Sequence, residues 1–149
     1  MEQVTAARTP VFADLRIRTG VDLVSVSDVA ESVSRFGSRY LTRVFTDHEL
    51  SSCWGTPTVV AQGLAARFAA KEAAMKVLRP SGQAMDWRYV EVRRDHAGAC
   101  TLRLTGEADR LATQARVVDI SVALSHEGSL AGAVVVALCE NTGPDVGEE

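Results

Sequence analysis

Glu72 stands inside the apolar stripe of the most helix-like segment of the chain, where packing alone gives no reason for a carboxylate. That segment, Pro57 to Leu78, reads PTVVAQGLAARFAAKEAAMKVL; it is alanine-rich, lacks an interior proline and predicts one long helix. Val60, Leu64, Phe68, Met75 and Leu78 recur at steps that keep one face inward, and Glu72 falls on that face between Phe68 and Met75. A buried carboxylate must be paired, protonated or bound to a metal, because desolvating a bare charge is too costly. Arg67, Lys71 and Lys76 supply cations on the same helix. Glu72 and Lys76 also form an ordinary i to i+4 pair, worth ~0.3–0.5 kcal/mol on an exposed face, and the helix alone leaves that alternative open.

A second carboxylate adds weight to the chemical reading. Ile17 to Val26, IRTGVDLVSV, is a β-branched run that predicts a strand, and Asp22 sits inside it on the same face as Val24. Aspartate is disfavoured in strand interiors, so it either ends the strand, faces solvent at an edge, or has a function. Two acids on rigid elements, with lysines and an arginine nearby, suit a divalent metal and a phosphate ester. Mg²⁺ takes oxygen ligands, usually one or two carboxylates, and leaves positions for substrate phosphates and water.

The elements that must position these groups read as one α+β domain over residues 15–139. A 14-residue extension precedes it, and an acidic tail over 140–149, ENTGPDVGEE after Cys139, is expected to fray. Ser27 and Asp28 predict the start of a short helix to about Arg35. Thr46-Asp47-His48-Glu49 has capping-box spacing and predicts a second, to about Trp54. Arg79-Pro80-Ser81-Gly82 ends the long helix. Trp87 to Arg94 predicts a strand, Asp95 to Cys100 a turn, and Thr101 to Leu104 its partner. Thr105 is expected to cap a helix from Gly106 to about Ala115. Val118 to Ser125 alternates as a strand with Val118, Ile120, Val122 and Leu124 inward. Ser125-His126-Glu127-Gly128-Ser129 turns the chain into a last strand, Leu130 to Leu138.

Composition bounds the function classes. At 149 residues, 46% apolar and net charge −3, the chain can bury a real core and has neither a disordered composition nor a broad basic surface for nucleic acid. No apolar run approaches the roughly 20 residues of a membrane span, and MEQVTAARTP lacks the basic start and apolar core of a secretory signal. Cys53, Cys100 and Cys139 are odd in number and far apart, as are His48, His96 and His126. Reduced cytoplasmic thiols are the expectation, and a zinc site has little support.

The pieces resemble the holo-acyl-carrier-protein synthase family, the short single-module 4′-phosphopantetheinyl transferases. The likeness rests on GVDLVSV around Asp22, RYLTRVFTDHEL at 39–50, ARFAAKEAAMKVL at 66–78 and SVALSHEGSLAGAVVV at 121–136, in order and at the expected spacing. The resemblance implies a small antiparallel sheet packed with a long central helix, in a homotrimer with active sites between subunits. It implies transfer of the phosphopantetheine arm of coenzyme A to a serine of an apo acyl or peptidyl carrier protein, releasing adenosine 3′,5′-bisphosphate. On it, Asp22 and Glu72 hold Mg²⁺ against the coenzyme's pyrophosphate, and Glu72 is the base-side residue. Lys76 contacts the phosphates and helps the leaving group. Arg67, Lys71 and His126 line the coenzyme site, and Arg79 and Gly82 follow them in the loop after the helix.

Three places depart from the family pattern. Ser25 and Asp28 stand where the family often has Glu and Arg after its first Asp. An acidic carrier helix would be attracted by that arginine and not by Asp28, which points to a dedicated carrier of a polyketide or peptide pathway. Arg79-Pro80-Ser81-Gly82-Gln83 replaces a glycine-rich loop whose amides could approach phosphate. Gly98-Ala99-Cys100 replaces a G-K-P turn. Arg35, Arg39 and Arg43 lie near the expected carrier face, with a solvated surface as the simpler account. Two other classes stay open: a non-catalytic module that binds carrier protein or nucleotide on the same fold, and an acyltransferase, for which no activated cysteine or histidine motif speaks.

Overall fold

A computed structural model describes residues 14–82 and 84–141. The expected terminal extension and tail therefore lie, but for their inner ends, outside the described residues. The order is β1 (Leu15–Ser25), α1 (Val26–Phe36), α2 (Ser38–Val44), α3 (Asp47–Ser52), α4 (Pro57–Leu78), a single 3-10 turn (Trp87–Tyr89), β2 (Val90–Arg94), β3 (Cys100–Leu104), α5 (Gly106–Gln114), β4 (Val117–Glu127) and β5 (Leu130–Glu140). The three long strands form an antiparallel sheet in the order β1-β5-β4, and β2 and β3 form a separate hairpin. This is the α+β architecture read from the sequence.

Helix α4 is the axis of the fold. Thr56 caps its start by accepting from the Val59 N–H, and Pro57 occupies its first turn, where no intrahelical N–H bond is lost. It packs on β1 and β5 and also meets α1, β2, β4 and α5. Burial therefore extends beyond a single stripe: Ala65, Ala66, Ala69, Ala70, Ala73 and Ala74 are all buried. Small side chains let backbones approach, and Gly20 on β1 shows how closely. A Cβ there would stand 2.1 Å from the carbonyl oxygen of Ala73.

Alternation sorts the sheet into two faces. On β1, Gly20 and Val24 point to α4 with Asp22 between them, while Ile17, Val21 and Leu23 point away and are exposed. Val118, expected inward, is exposed because the β4 register shifts between Val117 and Asp119. The bulge puts Val117 inward instead and leaves Ile120, Val122 and Leu124 facing the core, as expected. Other differences are local. Helix α1 starts one residue earlier than predicted, capped by Ser25. Helix α2 was not predicted, its seven residues being too short for a periodic signal. Trp87 to Tyr89 is a 3-10 turn rather than strand, because the Asp86 side chain caps it.

Candidate functional site

The close approach at Gly20 decides what surrounds Asp22. Asp22 lies two residues further along the same face of β1, and Glu72 neighbours Ala73 on the helix it meets. Lys76, one turn beyond, reaches back across the gap. Its Nζ donates to Asp22 Oδ1 at 3.0 Å and to the Val21 carbonyl at 2.6 Å. The Asp22 side chain is 18% exposed and that of Lys76 52%, so the pair opens to solvent on the lysine side. Glu72 is half-buried. Burial raises its pKa above the ordinary carboxylate range, the charge of Asp22 raises it further, and Lys76 opposes both. The two acids thus feel each other, with one ammonium beside them.

Arg67 and His126 meet elsewhere. They line a cavity of about 420 Å³ with Trp54, Gln62, Arg94 and Ser125. Arg67 is 8% exposed, and its Nη1 donates to the Gly63 carbonyl at 3.2 Å. Its Nε is buried without a hydrogen-bond partner among the described residues. A guanidinium with an unspent buried donor on a cavity wall is a ready anion site. His126 is exposed on the same wall, paired in register with Ala131. Cys53 shares the cavity; burial pushes its thiol above the ordinary range, so it is not an activated nucleophile.

Lys71 corrects an expectation. It does not line an open site: its side chain is fully buried, with Nζ 2.8 Å from Glu49 Oε2. It also donates to the carbonyls of Val90 at 2.5 Å and Trp87 at 3.1 Å. Burial pushes the Lys71 pKa below the ordinary range, and Glu49 pulls it back up. Glu49 in turn accepts from the N–H groups of Thr46 and Val92. Its capping box was legible from Thr46 and Glu49; its second task, anchoring a buried lysine of α4 and the hairpin, was not. A lysine in a run of buried alanines was the available signal.

Arg79 and Gly82 stand apart from both groups. Arg79 follows α4 in the left-handed region, φ 54°, with its N–H on the Met75 carbonyl. It faces Arg16, Arg18 and Arg110, and Gly82 has open space around it. Among the described residues, no three metal-binding side chains cluster, and no helix is long and apolar enough to cross a membrane.

A family model described as the 4′-phosphopantetheinyl transferase superfamily matches residues 18–139. A holo-[acyl-carrier-protein] synthase of Herpetosiphon aurantiacus is 42% identical over 127 residues, covering 80% of this chain and 97% of that one. The Chronobacterium ammoniagenes ACPS–CoA complex superposes with a TM-score of 0.73 at 30% identity, covering 85% of this chain and 99% of that chain. A Helicobacter pylori holo-[acyl-carrier-protein] synthase in complex with coenzyme A gives 0.69 at 26% identity, covering 80% and 99%.

Proposed function

Because this chain belongs to the 4′-phosphopantetheinyl transferase superfamily, we infer that it moves the 4′-phosphopantetheine arm of coenzyme A onto a serine of an apo carrier protein. Adenosine 3′,5′-bisphosphate is the other product. The observation that carries this reading is the meeting of Asp22, Glu72 and Lys76 across the β1–α4 contact.

The donor set fits Mg²⁺. Two carboxylates, with Glu72 pushed above the ordinary carboxylate range by burial and by the charge of Asp22, and with an ammonium already drawn to Asp22, form a hard-oxygen site that gains by taking up a cation. Mg²⁺ held there by Asp22 and Glu72 would neutralise diphosphate oxygens and orient them for in-line displacement. The remaining steps belong to the chain's own residues. Glu72 accepts the proton of the attacking serine hydroxyl, a task to which its raised pKa suits it. The serine oxygen bonds to the phosphorus that bears the pantetheine arm. The bridging phosphorus–oxygen bond breaks, and its electron pair leaves on the bisphosphate, whose charge Lys76 offsets. Arg67 and His126 hold the nucleotide end, with the open Nε of Arg67 as the anion donor.

Asp22–Glu72–Lys76 and Arg67–His126 sit in separate places, so one coenzyme is best completed by two chains. A trimer supplies that arrangement. Ile17, Val21, Leu23, Val118, Val134 and Val136 leave an exposed apolar sheet face for subunit contact. The same reading sets the protein in the cytoplasm, where coenzyme A and free thiols coexist; Cys53, Cys100 and Cys139 are all free. Helix α1 turns Asp28 and Glu31 to solvent, which favours a dedicated carrier over a uniformly acidic one. Asp28→Arg should shift preference toward acidic apo carriers, and an unchanged ranking removes that argument.

The deciding experiment incubates the protein with coenzyme A, Mg²⁺ and purified apo carriers and weighs the carriers by mass spectrometry. A gain of one phosphopantetheine is expected. Tight carrier or nucleotide binding without any gain would overturn the transfer reading in favour of a binding module.

A further inference from the structure

Four arginines converge on one depression at the carboxyl end of α4, and the transfer chemistry uses none of the surrounding wall. Arg16 and Arg18 come from the start of β1, Arg79 from the residue after α4, and Arg110 from α5. Ser81 and Gln114 add polar side chains, and the cavity measures about 420 Å³. No carboxylate lines it among the described residues. Part of the charge is already engaged. Arg18 Nη1 donates to the Val77 carbonyl at 3.1 Å, which caps the helix end. Arg110 forms a two-bond pair with Glu107, outside the cavity wall, and its Nη1 donates to Gln114 Oε1. Arg16 and Arg79 make no ion pair among the described residues within reach of a side-chain carboxylate.

Like charges gathered around one hollow repel unless an anion joins them. The backbone deepens the point. Arg79 occupies the left-handed position that commonly ends a helix, where glycine fits without steric cost and a residue with a Cβ does not. An arginine at a glycine position, facing three more, needs a reason that local structure does not supply. We propose that this pocket is a phosphate-binding site, separate from the Asp22–Glu72–Lys76 group. Guanidinium forks match the tetrahedral oxyanion in pairs of parallel N–H bonds. The hollow exceeds what a bare phosphate fills, leaving room for the organic part of a phosphomonoester. A concave site lined by donors on three elements suits a small ligand better than the flat face of a protein.

The test is the thermal midpoint in inorganic phosphate and in glycerol 3-phosphate, each against sodium chloride of equal ionic strength. Neither ligand carries a nucleotide, and because the Arg67 cavity can also take an anion, the arginine variants below assign the gain to this pocket. The wild-type protein should gain about 3 °C or more at saturation. Arg79→Gly and the pair Arg16→Gln with Arg110→Gln should lose that gain. In chloride, Arg79→Gly should melt no lower than wild type because it relieves the left-handed residue, so its loss of response is not a folding failure. Asp22→Asn should keep the gain. A larger response to the ester assigns an esterified ligand, and a larger response to the free ion assigns phosphate itself. No gain, an equal gain in the arginine variants, or its loss in Asp22→Asn would overturn the proposal, and none of these results bears on carrier modification.

Discussion

Gly20 lets β1 lie so near α4 that a Cβ would stand 2.1 Å from the Ala73 carbonyl oxygen. That atom is backbone and cannot swing aside. Gly20→Ala must therefore push helix and strand apart, at a cost of about 1–3 kcal/mol. The same displacement separates Asp22 from Glu72 and Lys76, and misplacements of this kind cost on the order of 10²-fold in rate. Urea denaturation and turnover with coenzyme A and Mg²⁺ should fall together; full activity in a folded Gly20→Ala protein would break the link between the contact and the site.

Glu72 has a sign that can be worked out. Its folded-state pKa is raised, first by burial and then by Asp22. Between the ordinary carboxylate value and the raised one, the folded state holds a proton the unfolded chain has lost, so stability declines as pH rises through that window. In chelator, Glu72→Gln should melt above wild type at neutral pH and converge with it in acid. The same variant should lose ~10²-fold or more in transfer. Wild-type activity should fall on acidification at a pH above the ordinary carboxylate range. A more stable, inactive variant is the signature; lower stability in Glu72→Gln would contradict it.

Lys71 should behave as a core residue. Lys71→Met leaves Glu49 buried without its cation and should cost about 3–5 kcal/mol. Coenzyme A affinity measured on the folded fraction by calorimetry should stay at the wild-type value. A stable variant with weakened coenzyme binding would return Lys71 to the site.

The outer sheet face gives the test of assembly. Leu23 is 70% exposed and Ile17 67%, and Val21 pairs with Val134 in register. Leu23→Glu with Val134→Glu should yield monomers by analytical ultracentrifugation without loss of fold, since neither side chain packs inward. Transfer should fall about 10²-fold if two chains complete one site. Monomers with full activity would place every needed group on one chain.

Local chemistry was legible in the residues themselves. The long helix from Pro57 to Leu78 followed from alanine content, and its observed bounds are the expected ones. The strand carrying Asp22 followed from β-branching, and the anomaly of Asp22 and Glu72 within apolar patterns was visible because desolvation makes such carboxylates expensive. The motifs by themselves place the chain among the 4′-phosphopantetheinyl transferases.

Tertiary structure decided everything that depends on which elements touch. Lys71 and Lys76 are one and a half turns apart on the same helix, and sequence treats them alike. One is sealed against Glu49 and the other bridges to Asp22, because only long-range packing sets which side of α4 meets β1 and which meets the β2 hairpin. The exposure of Val118 turned on a one-residue register shift. Arg16, Arg18, Arg79 and Arg110 became a single pocket only when strand, helix end and α5 closed around it. Periodicity reports a residue's own element; contacts between distant elements are fixed by the shape of the whole core.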